Sequence, residues 1–155
     1  MSFRLKTALW LNILVSMGLI AGGLVYLLSP QIMPYHLQVI NRNWSDLDSR
    51  LQIMLLGFLK VGGTGILTAG LAIAVLTLIP YRRGQLWAYR AVPVIGYTSG
   101  APTLYVAYSL HHSTGASTPW IGIAVGLLIF LIAYLLTIKA EGESAPTNKE
   151  KKAIA

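Results

Sequence analysis

Four long apolar runs, at about 8–28, 51–79, 85–110 and 120–138, constrain this chain more than any other feature. A helix needs roughly 20 apolar residues to cross the hydrocarbon of a bilayer, and each run is long enough. Only Lys60 brings a charge into the heart of a run. With 11% charged residues against 55% apolar, the chain falls well below the roughly 25% charge of soluble domains, which makes lipid the expected solvent. The expected fold is an all-α, up-down transmembrane four-helix bundle over residues 1–139. A disordered cytoplasmic tail is expected over 140–155, where Glu and Lys alternate and apolar residues are few. The first run follows Arg4 and Lys6 as a signal peptide would, but it exceeds the usual 7–15 apolar residues of such a segment and is expected to be a retained span.

Basic residues orient the bundle. Arg4, Lys6, Arg82, Arg83, Arg90, Lys139, Lys149, Lys151 and Lys152 fall on one side, and only Arg42 and Arg50 on the other. The positive-inside rule then puts both termini in the cytoplasm and the protein in the cell (inner or plasma) membrane, with Trp44 and Trp120 near the outer boundary and Trp10 and Trp87 near the inner one. The net charge of +7 is accounted for by these flanks, so nucleic acid is not expected as a partner.

Between the first two runs, residues 30–43 read as an outer loop containing Pro34, Tyr35 and His36. From Trp44 the pattern becomes amphipathic: Trp44, Leu47, Leu51, Met54 and Phe58 recur at helical spacing. A helix capped by Ser45 or Asp46 is therefore expected to start in the interface and run into the second span. The second outer loop, 111–119, reads as a plain turn. Small residues four apart allow close helix contact in lipid. Such pairs occur as Gly18 and Gly22, Gly65 and Ala69, Gly96 and Gly100, and Gly122 and Gly126.

Candidate chemistry is sparse. Tyr89, Pro93, Tyr97, Ala101, Tyr105, Tyr108 and His112 step mostly by four along the third run, which suggests a polar stripe facing the bundle interior, with the aliphatic fourth run facing lipid. Lys60 lies at a depth where it either marks a site or snorkels to the outer interface. Lys60, Thr64, Tyr97, Tyr105 and Tyr108 form the candidate ligand pocket, with Gln52 expected near Lys60. Gly62-Gly63-Thr64-Gly65 does not continue into the Lys-Ser/Thr of a phosphate loop. His36, His111 and His112 are weak metal candidates because no ligand spacing repeats. With no cysteine and no paired acids, neither cofactor nor metal is expected, and no catalytic residue is assigned.

Met33-Pro34-Tyr35-His36, then Ile79-Pro80-Tyr81-Arg82-Arg83-Gly84-Gln85-Leu86-Trp87-Ala88, Pro102-Thr103-Leu104-Tyr105 and Thr118-Pro119-Trp120 together resemble an uncharacterised family of small bacterial four-span integral membrane proteins. The resemblance implies four spans over most of 1–139 and carries no activity, cofactor or catalytic residue. The size is also that of the DoxX-like proteins and the MAPEG-type glutathione enzymes, but no residue supports either, and the Glu, Arg and Asn pattern of the latter is missing. The expected function is that of a non-catalytic small membrane protein. It would be an accessory or oligomer-forming subunit, partnered by its own copies or another membrane protein, or a bundle that binds a lipid or other lipophilic small molecule. The alternative is a membrane enzyme or carrier acting on a lipid-like substrate near Lys60 and the tyrosines of the third run.

Overall fold

The computed structural model describes residues 2–144, and among these residues every regular element is helical. There are five α-helices: α1 Phe3–Leu28, α2 Pro34–Ile40, α3 Ser49–Leu76, α4 Leu86–Thr114 and α5 Trp120–Ser144. Phe3–Leu28, Ser49–Tyr81 and Trp120–Gly142 are long and apolar enough to cross a membrane, so the chain has the build of a membrane protein. α4 is not among those three. It has 29 residues but carries four tyrosines, two histidines, two prolines and several Ser and Thr along its length.

α1 packs most extensively on α3, then on α5; α4 packs on α5 and, less extensively, on α3. The α1–α3 seam is closed by three glycines. A methyl group at Gly23 would lie 2.6 Å from Leu67 N, one at Gly63 2.6 Å from Tyr26 Cβ, and one at Gly70 2.9 Å from Ile20 N. Only a residue without Cβ lets the two backbones approach this closely. These are not the glycines that spacing alone selects, because Gly18, Gly22, Gly65 and Gly122 all face open space. The pair Gly96 and Gly100 does pack, against Phe130 and Leu127 of α5. A four-apart rule finds a close-packing face without saying which face meets the neighbour.

The buried core gathers at the end that carries the N-terminus of α1 and the basic turn 82–85, hereafter the basic end. It comprises Ala8, Leu9, Ile73, Tyr81, Ala88, Tyr89, Val92, Phe130 and Ala133. Pro80 shapes this end. Its ring nitrogen has no hydrogen to give the carbonyl four residues earlier, and α3 widens into a π turn over Thr77–Tyr81, with Arg82 N–H donating to Thr77 O at 3.2 Å. The Tyr81 ring, 1% exposed, is thereby set edge-on to Tyr89 at 4.5 Å, with its hydroxyl 2.6 Å from Thr137 Oγ1.

The opposite end departs from the sequence reading in three places, and the basic end in one. The loop 30–43 contains α2, started by Pro34 in its first turn and ended by Asn41, whose φ of 49° is one that asparagine tolerates better than most residues. Ser45 and Asp46 lie in a 3-10 turn, Trp44–Asp46; the residue that caps α3 is Asp48, whose carboxylate accepts Arg50 N–H at 2.9 Å. α4 runs on past 110 to Thr114 and stops at Gly115, whose φ is 71°. At the basic end, α5 continues beyond Lys139 to Ser144, so residues 140–144 are helix rather than tail; the rest of the expected tail, 145–155, lies outside the described residues.

Candidate functional site

The far end is built differently from the packed basic end. Here residues of α2 face α4 and the start of α5 on one side and α3 on the other, with Tyr26 of α1 common to both. Two clefts open beside it. One, of about 320 Å³, is lined by α4 and the start of α5, with Pro102, Val106, Leu110 and Ile123 among its walls. The other, of about 310 Å³, is lined by α2 and α3, including Ile32, Val39, Leu55, Phe58 and Leu59. Both are mostly apolar, and both reach the low end of the size range of small-molecule sites. Tyr26 and His36 line both, so they form a common wall between the two.

That wall holds the polar groups that converge on the clefts. The Tyr26 and Tyr35 hydroxyls are hydrogen-bonded to each other, and the His36 ring lies 4.2 Å from that of Tyr35. Tyr26 projects from the last turns of α1, where the close approach of Gly63 to its Cβ positions it. Tyr35 and His36 are carried by the first turn of α2. Burial lowers the pKa of His36 below its usual value, so the imidazole is neutral at neutral pH. Burial, reinforced by the Tyr26 hydroxyl, raises the pKa of Tyr35 and keeps it protonated. α2 is tied down at its other end by Gln38, whose Oε1 accepts Ser117 N–H at 2.8 Å.

None of Lys60, Thr64, Tyr97, Tyr105 and Tyr108 lines either cleft. Lys60 sits on the flank of α3 and donates from Nζ to Leu27 O at 3.1 Å, in the last turn of α1. The expected neighbours, Gln52 and the α4 tyrosines, are not its partners: Gln52 donates to Trp44 O and Leu47 O. Lys60 thus supplies the cation that the last turn of α1 lacks, a charge placed on the negative end of a helix dipole. Thr64 follows it on the same exposed face and donates to Lys60 O. Such a placement is worth about 0.3–1 kcal/mol. Lys60→Met is therefore expected to shift stability in detergent by no more than that and to leave lipid retention unchanged. Loss of a bound lipid in this variant would return Lys60 to the site.

The tyrosine stripe divides. Tyr89 is 5% exposed and part of the core, and Tyr97 donates its hydroxyl to Leu127 O at 3.0 Å, whereas Tyr105 is 72% exposed and Tyr108 48%. The cause is helix geometry. Each step of four over-rotates by about 40°, so the sixteen residues from Tyr89 to Tyr105 turn the stripe by about 160°, onto nearly the opposite face. Tyr108 packs edge-on against Trp120 at 5.6 Å instead of entering the interior. The aliphatic surface of α5 is exposed at Ile121, Val125, Leu128, Leu131, Ile132, Leu135 and Ile138, as expected of a helix that meets lipid.

Of the three histidines, His36 enters the common wall, His111 is bound through Nδ1 to Ala116 O at 2.8 Å, and His112 lies beside Tyr108. Among the described residues no three metal-ligating side chains are gathered. Sequence reading passed over Tyr26, although a hydroxyl-bearing ring near the end of an otherwise aliphatic run was a usable signal. It also passed over Asn12, Ser16 and Thr77, which are polar residues buried inside apolar runs, at 3%, 1% and 0% exposure. No family model, curated protein or solved structure matches the chain.

Proposed function

We propose that this chain is a non-catalytic integral membrane protein that holds a lipophilic molecule at the end covered by α2. The observation that carries this reading is the pair of apolar clefts meeting at one polar wall, Tyr26, Tyr35 and His36. Ligand sites commonly combine an apolar body with a few convergent polar groups. The clefts offer no charged side chain and no carboxylate among their lining residues, which favours holding over chemistry. Purification in mild detergent followed by native mass spectrometry tests it. The wild-type chain is expected to carry about one lipid. Gly62→Phe, which projects into the α3-side cleft from a position with nothing within 4 Å, is expected to carry less. A wild-type particle that holds no lipid, and takes up none when lipid is added, overturns the proposal.

In this reading α4 also crosses the membrane, giving an up-down four-helix bundle of the kind found in the small bacterial family that the chain resembles. Support comes from its length, about 43 Å at 1.5 Å per residue, which exceeds the roughly 30 Å hydrocarbon core. Its packing along α5 adds to this, with Gly96 on Phe130 and Gly100 on Leu127. The nine-to-two bias of basic residues supports an orientation with the basic end in the cytoplasm and α2 outside. Reporter fusions give the check. A fusion at the C-terminus is expected to be active only in the cytoplasm and one at the 111–119 turn only outside, and the reverse pattern overturns the orientation.

A second reading, assembly with further copies of the chain, is favoured by Gly18, Gly22 and Gly122, which lie open at the surface with nothing within 4 Å. The same mass measurement decides it, since a strictly monomeric particle at all concentrations excludes it.

A further inference from the structure

We infer that the occupant is a two-chain lipid without net charge, of the diacylglycerol type, with one chain in each cleft and its ester and hydroxyl oxygens at the common wall. This rests on the lipid-holding reading above and adds the ligand class. Three observations carry it. First, the clefts are matched in volume, about 320 and 310 Å³, and lie on either side of α2, joined at Tyr26 and His36. A molecule with two apolar arms and a polar centre fits that layout, whereas a single-chain lipid or a quinone leaves one cleft without a chain.

Second, neither cleft has a charged residue in its lining. A phosphate brought there would lose water and gain no counter-charge, which is strongly unfavourable. The nearby cation, Lys60, lines neither cleft and is already engaged with Leu27 O.

Third, the hydrogen-bonding capacity left over matches neutral oxygen groups. Thr103 and Thr118 line the α4-side cleft, but both donate to backbone carbonyls, Ser99 O and Ala107 O, each at 2.7 Å. Their hydrogens are thereby spent, and side-chain donation to an ester carbonyl falls to the wall. The Tyr26–Tyr35 bond consumes one of two hydroxyl hydrogens and leaves the other to donate outward. A neutral His36 offers one N–H and one lone pair. These suit ester carbonyls, which accept, and a free glycerol hydroxyl, which does both.

The full chain in mild-detergent micelles, offered equal amounts of dioleoylglycerol, dioleoylphosphatidylglycerol and mono-oleoylglycerol, gives the test by native mass spectrometry. Dioleoylglycerol is expected to be retained at least about tenfold over the other two. Tyr35→Phe and the Tyr26→Phe/Tyr35→Phe pair are expected to lower that retention, the pair by about tenfold and, because both partners of the hydrogen bond are removed together, with detergent unfolding of the helices nearly unchanged. Gly62→Phe, which obstructs one cleft, is expected to abolish the preference for two chains over one. Equal or preferred binding of the phosphatidylglycerol, or unchanged retention in the tyrosine variants, overturns this inference and leaves the lipid-holding reading standing. Retention of none of the three, by wild type or variants, overturns both.

Discussion

Gly23→Ala is expected to lower the stability of the protein in micelles by about 1–3 kcal/mol, while Gly22→Ala, one residue away, is expected to be neutral or to raise it by about 0.5–1 kcal/mol. The two glycines are adjacent in sequence and differ only in what surrounds them. The new methyl at 23 would lie 2.6 Å from Leu67 N and 2.8 Å from Leu67 Cα, and backbone cannot turn aside as a side chain can. The new methyl at 22 meets nothing within 4 Å, so only the better helix propensity of alanine remains. The same contrast is expected between Gly63, tight against Tyr26 and Gly23 O, and Gly62 beside it. Gly63→Ala carries a second consequence, because the clash is with the Cβ of Tyr26, a residue of the cleft wall; lipid retention is expected to fall along with stability. Unfolding by titration with a denaturing detergent, followed by helical circular dichroism, measures all four variants. Equal losses at 22 and 23 would show that the α1–α3 seam is not where the structure puts it.

The second large effect lies at the basic end, and two threonines of similar burial are expected to respond with opposite signs. Thr77 is 0% exposed and its Oγ1 has no hydrogen-bond partner among the described residues. A buried hydroxyl with no partner carries its desolvation cost uncompensated, about 1–3 kcal/mol. Thr77→Val keeps the branched shape, removes the hydroxyl, and is expected to stabilise by up to that amount. Thr137 is 2% exposed, but its hydroxyl is bonded to Tyr81 OH at 2.6 Å and to Ala133 O at 2.8 Å. Thr137→Val leaves the Tyr81 hydroxyl buried without that partner and is expected to destabilise by about 1–3 kcal/mol. The same unfolding titration reads both. A stability loss in Thr77→Val would mean that its hydroxyl is satisfied in the membrane, by an internal water held where Pro80 widens the helix.

Membrane character, the long helices and the end at which positive charge collects could all be read from the sequence. Each is a one-dimensional property: a run of apolar residues has the same consequence whatever lies beside it, and Arg82, Arg83 and Arg90 mark one end of their helices wherever those helices pack. Pro80 likewise marks the close of the second run at 79, since the cause sits in the residue itself, whereas the stop of α4 at Gly115 lies beyond the 110 at which the third run ends. Facing is different, because it depends on cumulative rotation and on the neighbour. The stripe from Tyr89 to Tyr105 looked continuous at a spacing of four, yet the residual of about 40° at every step carried it round the helix and out of the core. Gly23, Gly63 and Gly70 could not be told from Gly22, Gly62 and Gly65 by composition or spacing; which of them meets a backbone depends on how α1 and α3 cross. The polar wall needed the fold most of all. Tyr26 and Tyr35 are nine residues apart and on separate helices, and their hydroxyls meet only because the chain turns back at Ser29 and Pro30 and brings α2 beside the end of α1. The sequence by itself determined the solvent of this protein and the kind of element it is built from, because transfer energies and helix geometry act residue by residue. Which side chains share a site was decided by the tertiary structure alone, because that depends on the rotation and crossing of helices whose surfaces are all similarly apolar.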